Sequence, residues 1–314
     1  MIRSTLKLAA LAAAATLALA ACSSSSSPTT PTSTASQSSA DGAPAAGDKG
    51  GKDNPVTIGV VGASGPQWKV FKELAEKSGI YVDIKDFTDY QQPNPATSSG
   101  ELDLNQFQHI LFLADYDNNS GGDLVPIGAT AIYPLAVYSK QYTSLDEIPA
   151  GATVAVPNDG TNQARALGVL ASAGLLTLKD GTAPLKATPA DIDTSSSKVT
   201  VSPVAADQTT RSLDDKSVAA AVVNNDYVTD AGLDPKSALA QDDPSSDAAR
   251  PFINIWVAKA ENKDDPVFAR LVEISHDPTV EAALQENSGG TAVIVHDSAA
   301  ELQTYLTDTE AQLK

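Results

Sequence analysis

Short apolar runs and amphipathic segments alternate along this chain, and that alternation leaves few folds open to it. Val56-Thr-Ile-Gly-Val-Val61 reads as a strand, Gly62-Ala-Ser-Gly65 as a turn, and Pro66 to Ser78 as a helix. Proline at the helix start, one stripe carrying Trp68, Phe71 and Leu74, and Gly79 just beyond the end all support that helix. Tyr81–Phe87 is the next strand, which completes a β-α-β unit. The pattern recurs with strands expected over Thr130–Ser139, Thr153–Val156, Val199–Val204 and Phe252–Ala258, and a helix over 161–173. Leu213–Val223 predicts a helix running into a short strand. Asp264–Ser275, Thr279–Glu286 and Ser298–Gln312 predict helices. Such alternation implies α/β layers around mostly parallel sheets. No internal repeat is found.

The amino end reads as an export signal. Arg3 and Lys7 precede an apolar Leu8–Ala21 run that is too short for a permanent span, followed by Leu19-Ala-Ala-Cys22. That tetrad resembles the lipobox of bacterial lipoproteins, which makes residues 1–22 a lipoprotein signal peptide and Cys22 the acylated residue. Cys22 is the only cysteine, so lipidation explains it better than metal binding or catalysis, and no intramolecular disulfide is open to the chain. An ordinary cleaved signal with an incidental cysteine is the alternative. Residues 23–53 are almost wholly Ser, Thr, Pro, Ala, Gly and Gln, the composition of a disordered tether that holds the folded part away from the membrane. Residues 54–314 suffice for one large or two modest domains. A formal charge of −18 argues against nucleic acid and against adhesion to anionic lipid. Membrane association is therefore expected through the lipid alone, on the extracytoplasmic face.

Enzyme signatures are missing. Gly59-x-x-Gly62-x-x-Gly65 lacks dinucleotide spacing and reads as a tight strand-to-helix turn, and there is no Walker motif or G-x-S-x-G elbow. The three histidines, His109, His276 and His296, show no ligand spacing. No metal, cofactor or catalytic residue is expected, and the chain is read as a non-enzyme.

The stretch Asn158-Asp-Gly-Thr-Asn-Gln-Ala-Arg165 follows the Val154–Pro157 strand and opens a helix capped by Asp159 or Thr161. Arg165 is expected in or near the first turn, where the helix dipole disfavours a cation. A shared carboxylate ligand, held by backbone N–H groups and the guanidinium together, would resolve that conflict. An exposed arginine paired with one of the chain's many acids is the other reading. Phe107 and His109 are either core residues or pocket residues. Asn254, in an apolar strand, must find partners, so it serves a ligand or an interdomain hydrogen bond. Asn224 and Asn225 follow the apolar Ala219–Val223 run.

Several motifs lie in one order between residues 56 and 290. They are Asp89-Tyr90-x-x-Pro93-Asn94, Gly100-x-x-Asp103-x-Asn105-x-Phe107-Gln108-His109, and Tyr133-Pro134-x-Ala136-x-Tyr138-Ser139. Val154-Ala-Val-Pro-Asn158-Asp159-x-Thr161-Asn162-x-x-Arg165, Arg211-Ser-Leu-Asp-Asp215, Ala221-Val-Val-Asn224-x-x-Tyr227, Asn254 and Gly289-Gly290 complete the set. Together they resemble the methionine-binding lipoproteins of the NlpA/MetQ type, substrate-binding components of ABC importers. The resemblance implies a two-lobed periplasmic-binding-protein fold of type II-like form. Residues 54–136 and 254–314 would form lobe 1, residues 137–253 lobe 2, with crossings near Tyr133–Ser139 and Phe252–Ala258. It implies that Arg165 and Asn162 hold the ligand carboxylate. Asn224 and Asn254 would orient the head group, and Tyr90, Phe107, His109 and Tyr133 would wall the side-chain pocket. The expected ligand is methionine, L- favoured, or a related amino acid. The expected partners are an ABC permease and its ATPase, with the chain acting as a monomer. A surface adhesin or antigen on the same fold is the alternative. The chain departs from the family at Ile110-Leu111-Phe112-Leu113, where Pro-Tyr-Leu usually follows Phe-Gln-His, at Gly160 in place of a frequent proline, and at Pro95. These changes sit near the pocket and leave the ligand open to D-methionine, a methionine dipeptide or another apolar amino acid.

Overall fold

A computed structural model describes Pro44 and residues 47–314. The export signal, Cys22 and the tether through residue 43 lie outside these residues. The elements in chain order are β1 (Val56–Val61), α1 (Pro66–Lys77), β2 (Val82–Phe87), α2 (Pro93–Ser99), β3 (Leu104–His109), α3 (Ile110–Ser120), β4 (Leu124–Ala129), β5 (Ala131–Ile132) and β6 (Ala136–Tyr138). Then come β7 (Thr153–Pro157), α4 (Gly160–Ser172), β8 (Thr200–Val204), α5 (Thr209–Ser212), β9 (Val218–Val223), β10 (Ala240–Gln241), β11 (Asn254–Lys259), α6 (Pro266–Ser275), α7 (Pro278–Asn287), β12 (Val293–Ile294) and α8 (Ala299–Leu313). Among the described residues no helix is long and apolar enough to cross a membrane.

Two five-stranded sheets form the frame, ordered β2-β1-β3-β11-β4 and β10-β6-β9-β7-β8. The expectation of mostly parallel sheets is corrected. Each sheet has a parallel half, β2-β1-β3 and β8-β7-β9, and an antiparallel half built on strands that connect the lobes. β6 runs antiparallel to β9, and β11 runs antiparallel to both β3 and β4. A strand entering from the opposite lobe arrives at the wrong end for a right-handed β-α-β crossover, so it pairs in the reverse sense. The strand expected over Thr130–Ser139 breaks into β5 and β6, because Tyr133-Pro134-Leu135 carries the chain from a two-stranded β12-β5 sheet to the second five-stranded sheet. The return runs through residues 242–253, whose last part is a 3-10 helix over Asp247–Phe252, so the strand expected from Phe252 begins at Asn254.

Local chemistry accounts for the elements. In α1, Trp68, Phe71 and Ala75 are buried. Trp68 meets Phe71 and Trp256 edge-on, while Phe71 stacks on Trp256 at 5.4 Å. Gly62 takes a left-handed φ of 79° to end β1, and Gly65 N–H donates to its carbonyl, so the glycine-rich stretch is a strand-to-helix turn. The ordered body begins ahead of residue 54: Lys49 pairs with Asp103 at 3.0 Å, and Tyr81 N–H donates to the Gly50 carbonyl.

Candidate ligand-binding site

Where the two sheets face each other, one cavity encloses about 410 Å³ of space without protein atoms, part of it open to solvent. Tyr90, Phe107, His109, Tyr133, Asn162, Arg165, Asn224 and Asn254 all line it. The fold thus brings together every side chain that the sequence had nominated for a pocket. Six further residues share the lining: Gln108, Phe112, Pro134, Leu135, Asn225 and Asp226.

A buried amide network makes this possible. Asn94 and Gln108 exchange side-chain hydrogen bonds, and Asn105 donates to Asn94 and, at 2.8 Å, to the Thr97 hydroxyl. Every member is buried, and the amides are shared among themselves. Much of the Pro93-Asn94 and Asn105-x-Phe107-Gln108 pattern is therefore scaffold that fixes β3 against α2. The alternation of β3 then aims Phe107 and His109 into the cavity. Phe112 meets Phe107 edge-on at 5.7 Å and Tyr90 at 6.2 Å, closing an aromatic wall.

His109 ends β3 and caps α3, its Nδ1 accepting from Phe112 N–H at 3.1 Å. That fixes the neutral tautomer, with Nε2–H donating to Asn162 Oδ1 at 3.2 Å. Burial, reinforced by the Arg165 charge, pushes its pKa down to about 3. Asn162 Oδ1 also accepts from Asn224 Nδ2 at 2.9 Å. Asn162 Nδ2 donates to Asp159, the residue that caps α4. Asn224 Oδ1 is buried and has no partner among the described residues. A buried acceptor left so costs about 1–3 kcal/mol, and a bound donor would recover it.

Arg165 lies in the second turn of α4, just past the first, because the helix starts at Gly160, and the orphan N–H of Asn162 is satisfied by the Asp159 cap. Its guanidinium is buried, donating through Nε to Asp242 at 2.6 Å and through Nη2 to the Tyr133 carbonyl at 2.8 Å, and it stacks 4.1 Å from the Phe252 ring. The chain's own acid thus holds one edge of the fork. Nη1 has no hydrogen-bond partner among the described residues. Asn254 opens β11 opposite His109 in the ladder, and its side chain makes only a long 3.4 Å bond to the Phe252 carbonyl.

Sequence reasoning missed Asp226. Tyr90 O–H donates to it at 2.8 Å, and burial, with Asp230 nearby, raises its pKa to about 6. The acid following the Asn224-Asn225 pair was visible, but the chain's many acids hid it. Asp242 was beyond reach, since only the return crossing carries it to Arg165. The cavity therefore presents a cation, an acid, amides with unspent capacity and an aromatic wall.

Residues 56–295 match the family model described as NlpA lipoprotein. The chain belongs to the NlpA lipoprotein family. Among its relatives is the D-methionine-binding lipoprotein MetQ of Yersinia pestis, 39% identical over 241 residues that cover 76% of this chain and 87% of the relative. Among solved structures, the substrate-binding protein of a methionine transporter from Streptococcus pneumoniae superposes with a TM-score of 0.70 at 39% identity, over 77% of this chain and 95% of that one. A nutrient-binding protein from Burkholderia cenocepacia, solved bound to methionine, gives 0.70 at 37% identity over 76% and 99%. These neighbours carry the two-lobed substrate-binding fold, and the NlpA-family chain shares it.

Proposed function

We propose that this lipoprotein is a non-enzymatic, extracytoplasmic binding protein that captures methionine and delivers it, as a monomer, to an ABC permease driven by its ATPase. One observation carries the reading: a cavity in which a buried guanidinium, an unsatisfied amide oxygen and an aromatic wall converge. Names of relatives that bind methionine agree with it. We take residues 54–135 with 254–314 as one lobe and 136–253 as the other, a one-residue shift that keeps β6 whole.

In this reading Arg165 Nη1 grips the ligand carboxylate, while Asp242 holds the fork in orientation. Asn224 Oδ1 and Asp226 accept from the ammonium, with Asn254 beside them. Asn162, fixed by Asp159 and His109, positions Asn224. Neutral His109 adds no second cation. Tyr90, Phe107, Phe112 and Tyr133 surround the thioether, which gains sulfur–aromatic contacts. A charge-assisted hydrogen bond and burial of a methionine side chain contribute ~1.5–3 kcal/mol each. Several such terms reach micromolar affinity, about −8 kcal/mol. Cys22 anchors the chain through its lipid.

Isothermal calorimetry with L- and D-methionine tests this. Saturable heat is expected for L-methionine, with Arg165→Ala weakening binding at least ~10-fold, the loss of one charge-assisted bond. No heat from either enantiomer, or equal affinity in the variant, overturns the assignment.

A further inference from the structure

Away from the ligand cavity, three side chains from separate segments meet on the first lobe. His276 follows the end of α6, Glu281 lies in the first turn of α7, and His296 stands two residues beyond β12. Glu281 Oε1 lies 3.0 Å from His276 Nδ1 and 3.2 Å from His296 Nε2. The two imidazoles stack at 4.3 Å, and one ligand atom from each of the three residues falls within 4.8 Å of the others. Spacing along the chain gave no hint of this, because the pairing of β12 with β5 is what returns His296 to the α6–α7 turn.

We infer that His276, Glu281 and His296 form a binding site for a divalent transition-metal ion, with zinc the best match. Two imidazole nitrogens and a carboxylate oxygen are a zinc donor set, and an exposed fourth position would be left for water. Zinc bonds of ~2.0–2.2 Å at tetrahedral angles hold donor atoms roughly 3.2–3.5 Å apart. The observed separations to the carboxylate need little change to reach that. The ring nitrogens now facing Glu281 are the ones that would bind, each from a neutral imidazole that keeps its proton on the other ring nitrogen. Hard ions such as magnesium prefer all-oxygen shells and are excluded by the same donor set. His276 and Glu281 are about one-fifth exposed and His296 about three-fifths, so an ion has a route in while two ligands are held by packing.

The position gives the site a consequence. β12 pairs with β5, and Val295 N–H donates to the Thr130 carbonyl, one crossing away from Tyr133, whose carbonyl holds Arg165. Tyr133 also lines a second cavity together with His276 and Glu281. A metal there would clasp the α6–α7 turn to the segment after β12 and brace the base of the crossing. This inference stands apart from the methionine reading.

The test is zinc chloride titration of the full chain, purified without a histidine tag, by calorimetry and by thermal melting. One equivalent of zinc is expected to bind and raise Tm, with magnesium chloride giving neither effect. His276→Asn and His296→Gln should each weaken zinc binding at least ~10-fold, since each removes one of three protein ligands. His296 is exposed enough that its variant keeps the fold, which a melting transition like wild type's in chelator verifies. Zinc binding unchanged in the His296 variant, or absent from the wild type, overturns the site.

Discussion

His109 shows how one side chain is set by its surroundings. Its folded pKa of about 3 lies below the ordinary value of 6.5, because burial and Arg165 both oppose a second charge. The unfolded chain therefore binds more protons between those values. The stability tied to neutral His109 is complete above pH 6.5 and is lost as pH falls toward 3. Asp226, raised to about 6, and Asp117, raised to about 7, act in the opposite sense over part of that window. The effect must then be read as a difference. Chemical denaturation of wild type and His109→Gln at pH 7 and pH 4.5 should show the variant losing less stability on acidification. Equal losses would mean that the imidazole is not held neutral. At Asn224, replacement by Leu removes the unspent acceptor, and methionine affinity should fall ~10-fold or more while the melting temperature changes little.

At the scale of elements, α3 carries a cost and β4 a constraint. Asp117 of α3 is buried, its Oδ1 has no partner among the described residues, and burial beside Glu310 and Asp123 raises its pKa to about 7. An acid with a raised folded pKa favours the fold while protonated, below its unfolded value of 3.8, and that advantage is lost as pH rises through 7. Asp117→Asn should consequently raise Tm at pH 8 and leave it nearly unchanged at pH 4, by differential scanning calorimetry. Gly128 in β4 lies under α6: a Cβ there would stand 2.3 Å from Val272 Cγ1. Gly128→Ala is expected to destabilise by ~1–3 kcal/mol in urea, as overpacking does, by pushing α6 off its sheet.

The whole molecule is seen with its lobes together. Tyr90 O–H reaches Asp226, Tyr227 O–H reaches the Thr88 carbonyl at 3.1 Å, and Ser64 reaches Asp230 at 2.9 Å, each joining one lobe to the other. A ligand small enough to lie between them is desolvated at both ends only when they close. Small-angle scattering should show a smaller radius of gyration with methionine than without. Tyr90→Phe, which deletes one latch and keeps the ring, should raise the dissociation rate several-fold with little change in association, as interface changes generally do.

Periodicity in the chain determined the α/β class, the β1-α1-β2 opening and the start of α4, because those depend on neighbours close in sequence. The order of the motifs likewise nominated side chains that line the cavity, Arg165 and the asparagines among them. Partners far along the chain were decided by tertiary structure alone. Asp242 reaches Arg165 only through the return crossing, and β11 reverses within its sheet because it arrives from the other lobe. His296 meets His276 only once β12 has found β5. Burial followed the same rule: the low pKa of His109 and the high ones of Asp117 and Asp226 exist because folding removes water from groups whose sequence neighbours give no sign of it.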